Sequence, residues 1–166
     1  QAPTRSVVDY FIPAGLIAAM AGSLLSMLSR RQLLYAFGAM FLSSLLYTLN
    51  LTRGISFGVC WPVPLTLLVI GLVVLGIIWS RLEELRWPVC TMLTMTLVMC
   101  WAASLQYFSH QTDETLSLMA GADLLLLAHI CGLVSLFRRR FAGDRAICEA
   151  LFIIGHFMIV RSLWVF

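Results

Sequence analysis

The 166 residues are 61% hydrophobic and only 11% charged, where a soluble domain carries roughly 25% charged residues, and the mean hydropathy is +0.95. A single core in a chain of this size cannot hide so much apolar surface, so a water-soluble globular domain is excluded and lipid must cover the remainder. All eleven basic residues are arginine, set in short clusters with a formal net charge of only +3, which suits membrane topology and lacks the continuous basic face of a nucleic-acid binder.

Six apolar stretches follow one another, each close to the roughly 20 residues that a spanning helix needs. They run from about Tyr10 to Leu28, Leu33 to Leu51, Trp61 to Trp79, Val89 to Tyr107, Thr115 to Phe137 and Ile147 to Phe166. The expected fold is therefore all-α: a polytopic transmembrane bundle of six helices, crossing the bilayer about six times, in a single domain over residues 1–166. Short polar breaks separate the stretches, and no linker, low-complexity tract or repeat interrupts them. Pro13, Pro62, Pro64 and Pro88 fall near helix starts, where a missing N–H costs least. The break Arg81-Leu82-Glu83-Glu84-Leu85-Arg86 is expected to be a short interfacial turn, with Arg81/Glu84 and Glu83/Arg86 facing each other at i,i+3. The chain opens Gln1-Ala2-Pro3, without Met and without the pattern of a signal peptide, so a processed or truncated chain is expected.

Arginine counting sets the orientation. The breaks at 29–32, 80–88 and 138–146 hold Arg30, Arg31, Arg81, Arg86, Arg138, Arg139, Arg140 and Arg145, against Arg5, Arg53 and Arg161 on the other side. Those three breaks are expected to be cytoplasmic. Trp61 and Trp79 are separated by about 27 Å along a helix, which sets one ring near each interface. The cysteines Cys60, Cys90, Cys100, Cys131 and Cys148 show no CxxC spacing and sit mostly in apolar runs, so neither a disulfide framework nor a metal cluster is expected.

Ionisable side chains at bilayer depth are costly and mark candidate sites. Asp123, His129, His156 and Arg161 qualify. Asp123 and Arg161 both fall in the outer half of an antiparallel hairpin, ~5–7 Å from its midplane by helical rise, where a buried ion pair could lock the hairpin or hold a phosphate. His129 and His156 lie on neighbouring helices and could share a polar pocket. Glu149 lies near the cytoplasmic end of the last stretch, within reach of water. Ser23 lies at about the depth of His129 and ends a Gly15/Ala19/Ser23 face of small residues suited to close helix packing, while Ser43, Ser44 and Tyr47 add hydroxyls to the second stretch. No HExxH or comparable spacing supports a metal site. No cofactor is expected. Broken hydrophobic segments in pairs, the usual pointer to a transporter, are not evident.

The stretch Arg31-Gln32-Leu33-Leu34-Tyr35-Ala36-Phe37-Gly38, continuing through Phe41 to Tyr47, resembles the YhhN family of lysoplasmalogenase-like membrane proteins, most of all its enterobacterial branch. Trp61-Pro62-Val63-Pro64-Leu65, Ile78 to Glu84, Arg86 to Cys90, Thr94 to Met99, Arg138-Arg139-Arg140-Phe141 and Gly155 to Leu163 extend the likeness over essentially the whole chain. The resemblance implies an eight-helix family architecture, of which this chain lacks the first two helices. It also implies hydrolysis of the vinyl-ether bond of lysoplasmalogens, giving a fatty aldehyde and a glycerophospho-base, with a membrane lipid or lysophospholipid as partner in the bacterial inner membrane. The expected catalytic residues are then Asp123, His129 and Ser23, with Arg161, His156, Ser44 and Tyr47 binding substrate. The family's motif aspartates are replaced here, by Ser23 in Gly22-Ser23 and by His129 in Ala128-His129, and its histidine on the second helix falls at Ser44. Asp123 is six residues before His129, about 120° away around the helix. A membrane protein of the same fold that binds lysolipid or a protein without turnover is the alternative, and oligomeric state is left open.

Overall fold

A computed structural model describes residues 10–28, 30–52, 62–138 and 143–162. Among the described residues there are six α-helices: α1 (Phe11–Leu28), α2 (Leu33–Leu51), α3 (Pro62–Ile78), α4 (Arg86–His110), α5 (Asp113–Phe137) and α6 (Asp144–Arg161), with short 3₁₀ turns at Arg30–Gln32, Trp79–Arg81 and Glu83–Leu85. The fold is all-α, as the runs of apolar residues require: with no water to satisfy the backbone, a helix bonds every internal N–H and C=O within itself.

All six apolar stretches form helices, but they are not equivalent. Among the described residues four segments are long and apolar enough to cross a membrane: Leu33–Leu51, Pro62–Arg81, Glu83–His110 and Asp113–Phe137. The two ends of the chain differ. Phe11–Met27 is apolar but shorter, and α6 starts at Asp144 rather than Ile147, so Asp144, Arg145, Glu149 and Arg161 all fall inside it. The reason for the earlier start is local. Gly143 takes a left-handed conformation, φ 82°, and the Asp144 carboxylate accepts the Arg145 N–H at 2.7 Å. An acidic group in the first turn also favours the positive end of the helix dipole.

The α4–α5 connection is only two residues long, although a longer break was expected there. Gln111 (φ 49°, ψ 41°) stops α4 in the left-handed region, and Thr112 caps α5 by accepting the Thr115 N–H at 3.3 Å, with Thr115 Oγ1 accepting the Thr112 N–H at 3.1 Å. This reciprocal cap satisfies donors that the first turn leaves over. The charged break at 80–88 also differs from expectation. Glu83 takes φ 44°, which destroys the helical register that i,i+3 pairing needs. Instead of pairing with Glu83, Arg86 lies over the Trp79 ring, 5.3 Å from its centroid, a cation–π contact at the interface. Trp61 and residues 163–166, which were expected to extend α3 and α6, lie outside the described residues, as do Arg139 and Arg140.

Helix α1 packs on α2, α2 on α4, α4 on α5 and α5 on α6, while α3 lies outside against α4. Small residues permit the closest approaches. A Cβ at Gly15 would fall 2.8 Å from the Tyr47 ring, and one at Gly121 would fall 2.8 Å from the Gly155 carbonyl oxygen. Between these packed pairs the core is filled by Phe37, Met92, Leu93, Met99 and Leu125, and the Phe37 and Phe137 rings stack at 6.4 Å. Large apolar side chains are exposed across the outer faces: Ile17, Leu65, Leu72, Ile153 and Phe157 are each more than half exposed, as lipid-facing side chains must be.

Candidate functional site

A cavity of about 430 Å³ opens among α1, α2, α4, α5 and α6, within the size range of small-molecule sites. Its wall includes Ser26 and Met27 from the end of α1, Leu33 from the start of α2, Ser135 and Leu136 from the end of α5, and Asp144 and Arg145 from the start of α6. It therefore occupies the end of the bundle where α1 and α5 finish and α2 and α6 begin, the end that carries Arg31, Arg138 and Arg145.

Two of the expected catalytic residues line this cavity and the third does not. Ser23 is half-buried and donates its hydroxyl proton to the carboxylate of Glu149, with Oε1 at 3.2 Å and Oε2 at 3.3 Å. This bond ties α1 to α6 across the mouth. Its position follows from the small-residue face of α1: Gly15, Ala19 and Gly22 are buried against α2, and Ser23, one residue beyond, is turned toward α6. His129 is 9% exposed and forms the inner wall. Its Nδ1 lies 3.4 Å from Thr96 Oγ1, which in turn is 3.4 Å from Ser44 Oγ, and its Nε2 is buried without a hydrogen-bond partner among the described residues.

Asp123 does not face the cavity. It is exposed on the outer side of α5, because the close α5–α6 crossing orients that helix through Gly121, Ala122, Leu125 and Ala128, and position 123 is about 200° around from Gly121. Arg161 is exposed at the end of α6. Among the described residues no ion pair joins the two, so the buried pair that their depth suggested is not formed.

The remaining expected binding residues lie deeper or elsewhere. Ser44 is 3% exposed and sits behind Thr96, and its backbone carbonyl accepts the Thr48 hydroxyl at 2.7 Å. Tyr47 and His156 are buried next to each other, ring centroids 5.8 Å apart. His156 lies against Phe152 in a tilted contact, ring centroids 4.3 Å apart, and Phe152 meets the His129 ring edge-on at 6.5 Å. The two histidines thus share one aromatic partner, but His156 and Tyr47 do not line the cavity.

The cavity-lining side chains that the sequence did not single out are acidic. Glu149, whose place in the chain suggested only contact with water, is half-buried in the wall. Asp144 lines the same cavity and accepts a hydrogen bond from the Ser135 hydroxyl. The available signal was the presence of Asp144 and Glu149 in the first two turns of α6, with Ser23 and Ser26 on α1 and Ser135 on α5 to face them. Linear depth alone could not reveal it, since it says nothing about which way a helix faces. Among the described residues no group of three or more His, Cys, Asp or Glu side chains is arranged to hold a metal ion.

A model of the YhhN family matches residues 2–163. Proteins described as uncharacterized membrane protein YhhN, from Escherichia coli and from Shigella flexneri, are 48% identical over 164 residues, covering 99% of this chain and 79% of the relative. No solved structure matches the chain.

Proposed function

This chain belongs to the YhhN family, and on that premise we propose that it is a hydrolase of single-chain ether phospholipids in the bacterial inner membrane, cleaving the vinyl-ether bond of lysoplasmalogen-type lipids. The observation that carries the reading is the joint presence of Glu149, held by Ser23, and His129, with an unpartnered ring nitrogen, in the wall of one membrane cavity. Vinyl-ether hydrolysis needs a proton donor to carbon and a group that takes a proton from water, much as glycosidases use two groups around an oxocarbenium ion.

The reaction balances with these two residues. Glu149 enters the reaction in its protonated form, with Ser23 donating to its carbonyl oxygen, and gives its proton to the outer carbon of the enol ether, leaving an oxocarbenium ion. Water adds to the carbon next to oxygen while His129 Nε2 takes one of its protons. The hemiacetal then collapses: the C–O bond breaks, His129 returns its proton to the departing glycerol oxygen, and the hemiacetal hydroxyl proton goes back to Glu149. The products are a fatty aldehyde and the glycerophospho-base. Arg145, also in the cavity wall, would hold the phosphate, and the apolar side chains of Phe37, Met40 and Phe152 would border the first part of the alkenyl chain. Asp123, exposed on the far side of α5, has no role in this scheme.

The test is aldehyde release from lysoplasmalogen by the purified protein in detergent. Turnover that is lost in Glu149→Gln and His129→Gln but kept in Asp123→Asn supports the scheme. Absence of aldehyde from the wild-type protein rejects it. A second reading is favoured by one observation, the presence of Ser23 and His129 at the positions of the family's motif aspartates: the cavity binds lysolipid without turnover. Saturable lysolipid binding to wild-type protein with no aldehyde formed would establish that alternative.

A further inference from the structure

We infer that Thr96, backed by Ser44, is a positioning residue that fixes His129 as the Nδ1–H tautomer and so keeps its buried Nε2 as a bare acceptor, on a residue that lines the cavity. Proton accounting leads to this assignment. A threonine hydroxyl has one proton and two lone pairs. Thr96 spends its proton on the Met92 carbonyl, at 3.0 Å and in the i−4 position of its own helix. Its two other contacts, to His129 Nδ1 and to Ser44 Oγ, are both at 3.4 Å, and with the proton already placed Thr96 must accept in each. His129 Nδ1 therefore carries the ring proton, and Ser44 donates from α2.

In a neutral imidazole the other nitrogen is then an acceptor. That nitrogen is buried and unpartnered among the described residues, and His129 belongs to the cavity wall. An acceptor kept out of water without a donor is costly, on the order of 1–3 kcal/mol. The ring is restrained, because Phe152 lies edge-on to it at 6.5 Å and turning it over would give up the Thr96 contact. An O–H group that reached this nitrogen would satisfy the lone pair, and in the reaction proposed above that group is the attacking water. This consequence rests on the hydrolase reading; the tautomer itself does not.

The same molecule contains an internal reference. His156 Nδ1 lies 2.8 Å from the Phe152 carbonyl, which can only accept, so His156 is also the Nδ1–H tautomer, held by backbone of its own helix and independent of Thr96. The third histidine, His110, is exposed at the end of α4, which leaves a three-residue spectrum to assign.

The experiment is nitrogen NMR of the intact protein in detergent with ¹⁵N-labelled histidine, at a pH where the rings are neutral. The expected wild-type spectrum shows protonated Nδ1 and unprotonated Nε2 for both His129 and His156. Thr96→Val, which keeps the shape and removes the acceptor, should shift His129 toward the Nε2–H form and leave His156 in place, while Thr96→Ser should retain the wild-type pattern. A protonated Nε2 on His129 in the wild-type protein overturns the assignment, whether or not the variants fold or any lipid is turned over. An unchanged His129 spectrum in Thr96→Val overturns the role of Thr96.

Discussion

Residue identity matters most where a helix face and a cavity coincide. Asp123 and Glu149 are both carboxylates in apolar helices, yet one is exposed on the outer side of α5 and the other bonds Ser23 in the cavity wall. Glu149→Gln keeps the size and the contact with Ser23 but removes the exchangeable acid, and turnover of a vinyl-ether lysolipid should fall by about 10²-fold or more, the usual contribution of one general acid or base. Asp123→Asn should leave turnover within a few fold of wild type. Initial aldehyde-release rates on matched detergent preparations check both, and the reverse ranking would return the chemistry to Asp123. Ser23→Ala tests the bond across the mouth. Its loss should weaken turnover less than Glu149→Gln does, because the carboxylate stays while only its orienting hydroxyl goes.

At the scale of elements, the α5–α6 crossing decides where the chemistry can be. Gly121 and Gly155 meet so closely that any side chain at either position runs into the opposite backbone or into Leu125 and Ile159. The contact sets the rotation of both helices, turning Ala128 and His129 of α5 inward and Asp123 outward. Gly155→Val should therefore separate the pair at an overpacking cost of about 1–3 kcal/mol, seen as a lower melting temperature in detergent. Gly76→Ala, on α3 where an added Cβ meets nothing within 4 Å, should melt as the wild type does. Equal melting of the two variants would show that the crossing is not the constraint argued here. The two-residue α4–α5 connection depends on different chemistry, a left-handed Gln111 followed by a reciprocal Thr112/Thr115 cap. Thr112→Ala should cost about 1 kcal/mol through the lost cap.

The whole molecule is a multi-pass membrane protein whose cavity lies at its arginine-rich end. Arginine bias implies that this end is cytoplasmic. In cells carrying single-cysteine variants in an otherwise cysteine-free background, a membrane-impermeant maleimide should label Gln111→Cys from outside and reach Ser80→Cys only after the membrane is opened. The opposite pattern would turn the molecule over and place the cavity on the outer side. Both positions are exposed, so access depends on sidedness alone.

Composition by itself determined the solvent, the all-helical class, the order of the helices and the end that gathers arginine, because each follows from local hydrophobicity and charge along the chain. Depth in the bilayer and the family resemblance together singled out Asp123, His129 and Ser23. Only the tertiary structure decided that Ser23 and His129 share a cavity with Glu149 and Asp144, that no ion pair joins Asp123 and Arg161 among the described residues, and that Ser44 touches Thr96, which in turn touches His129. The physical reason is rotation about the helix axis. Depth in the bilayer can be counted from sequence at about 1.5 Å per residue, whereas the direction a side chain faces is fixed by which small residues allow two backbones to touch.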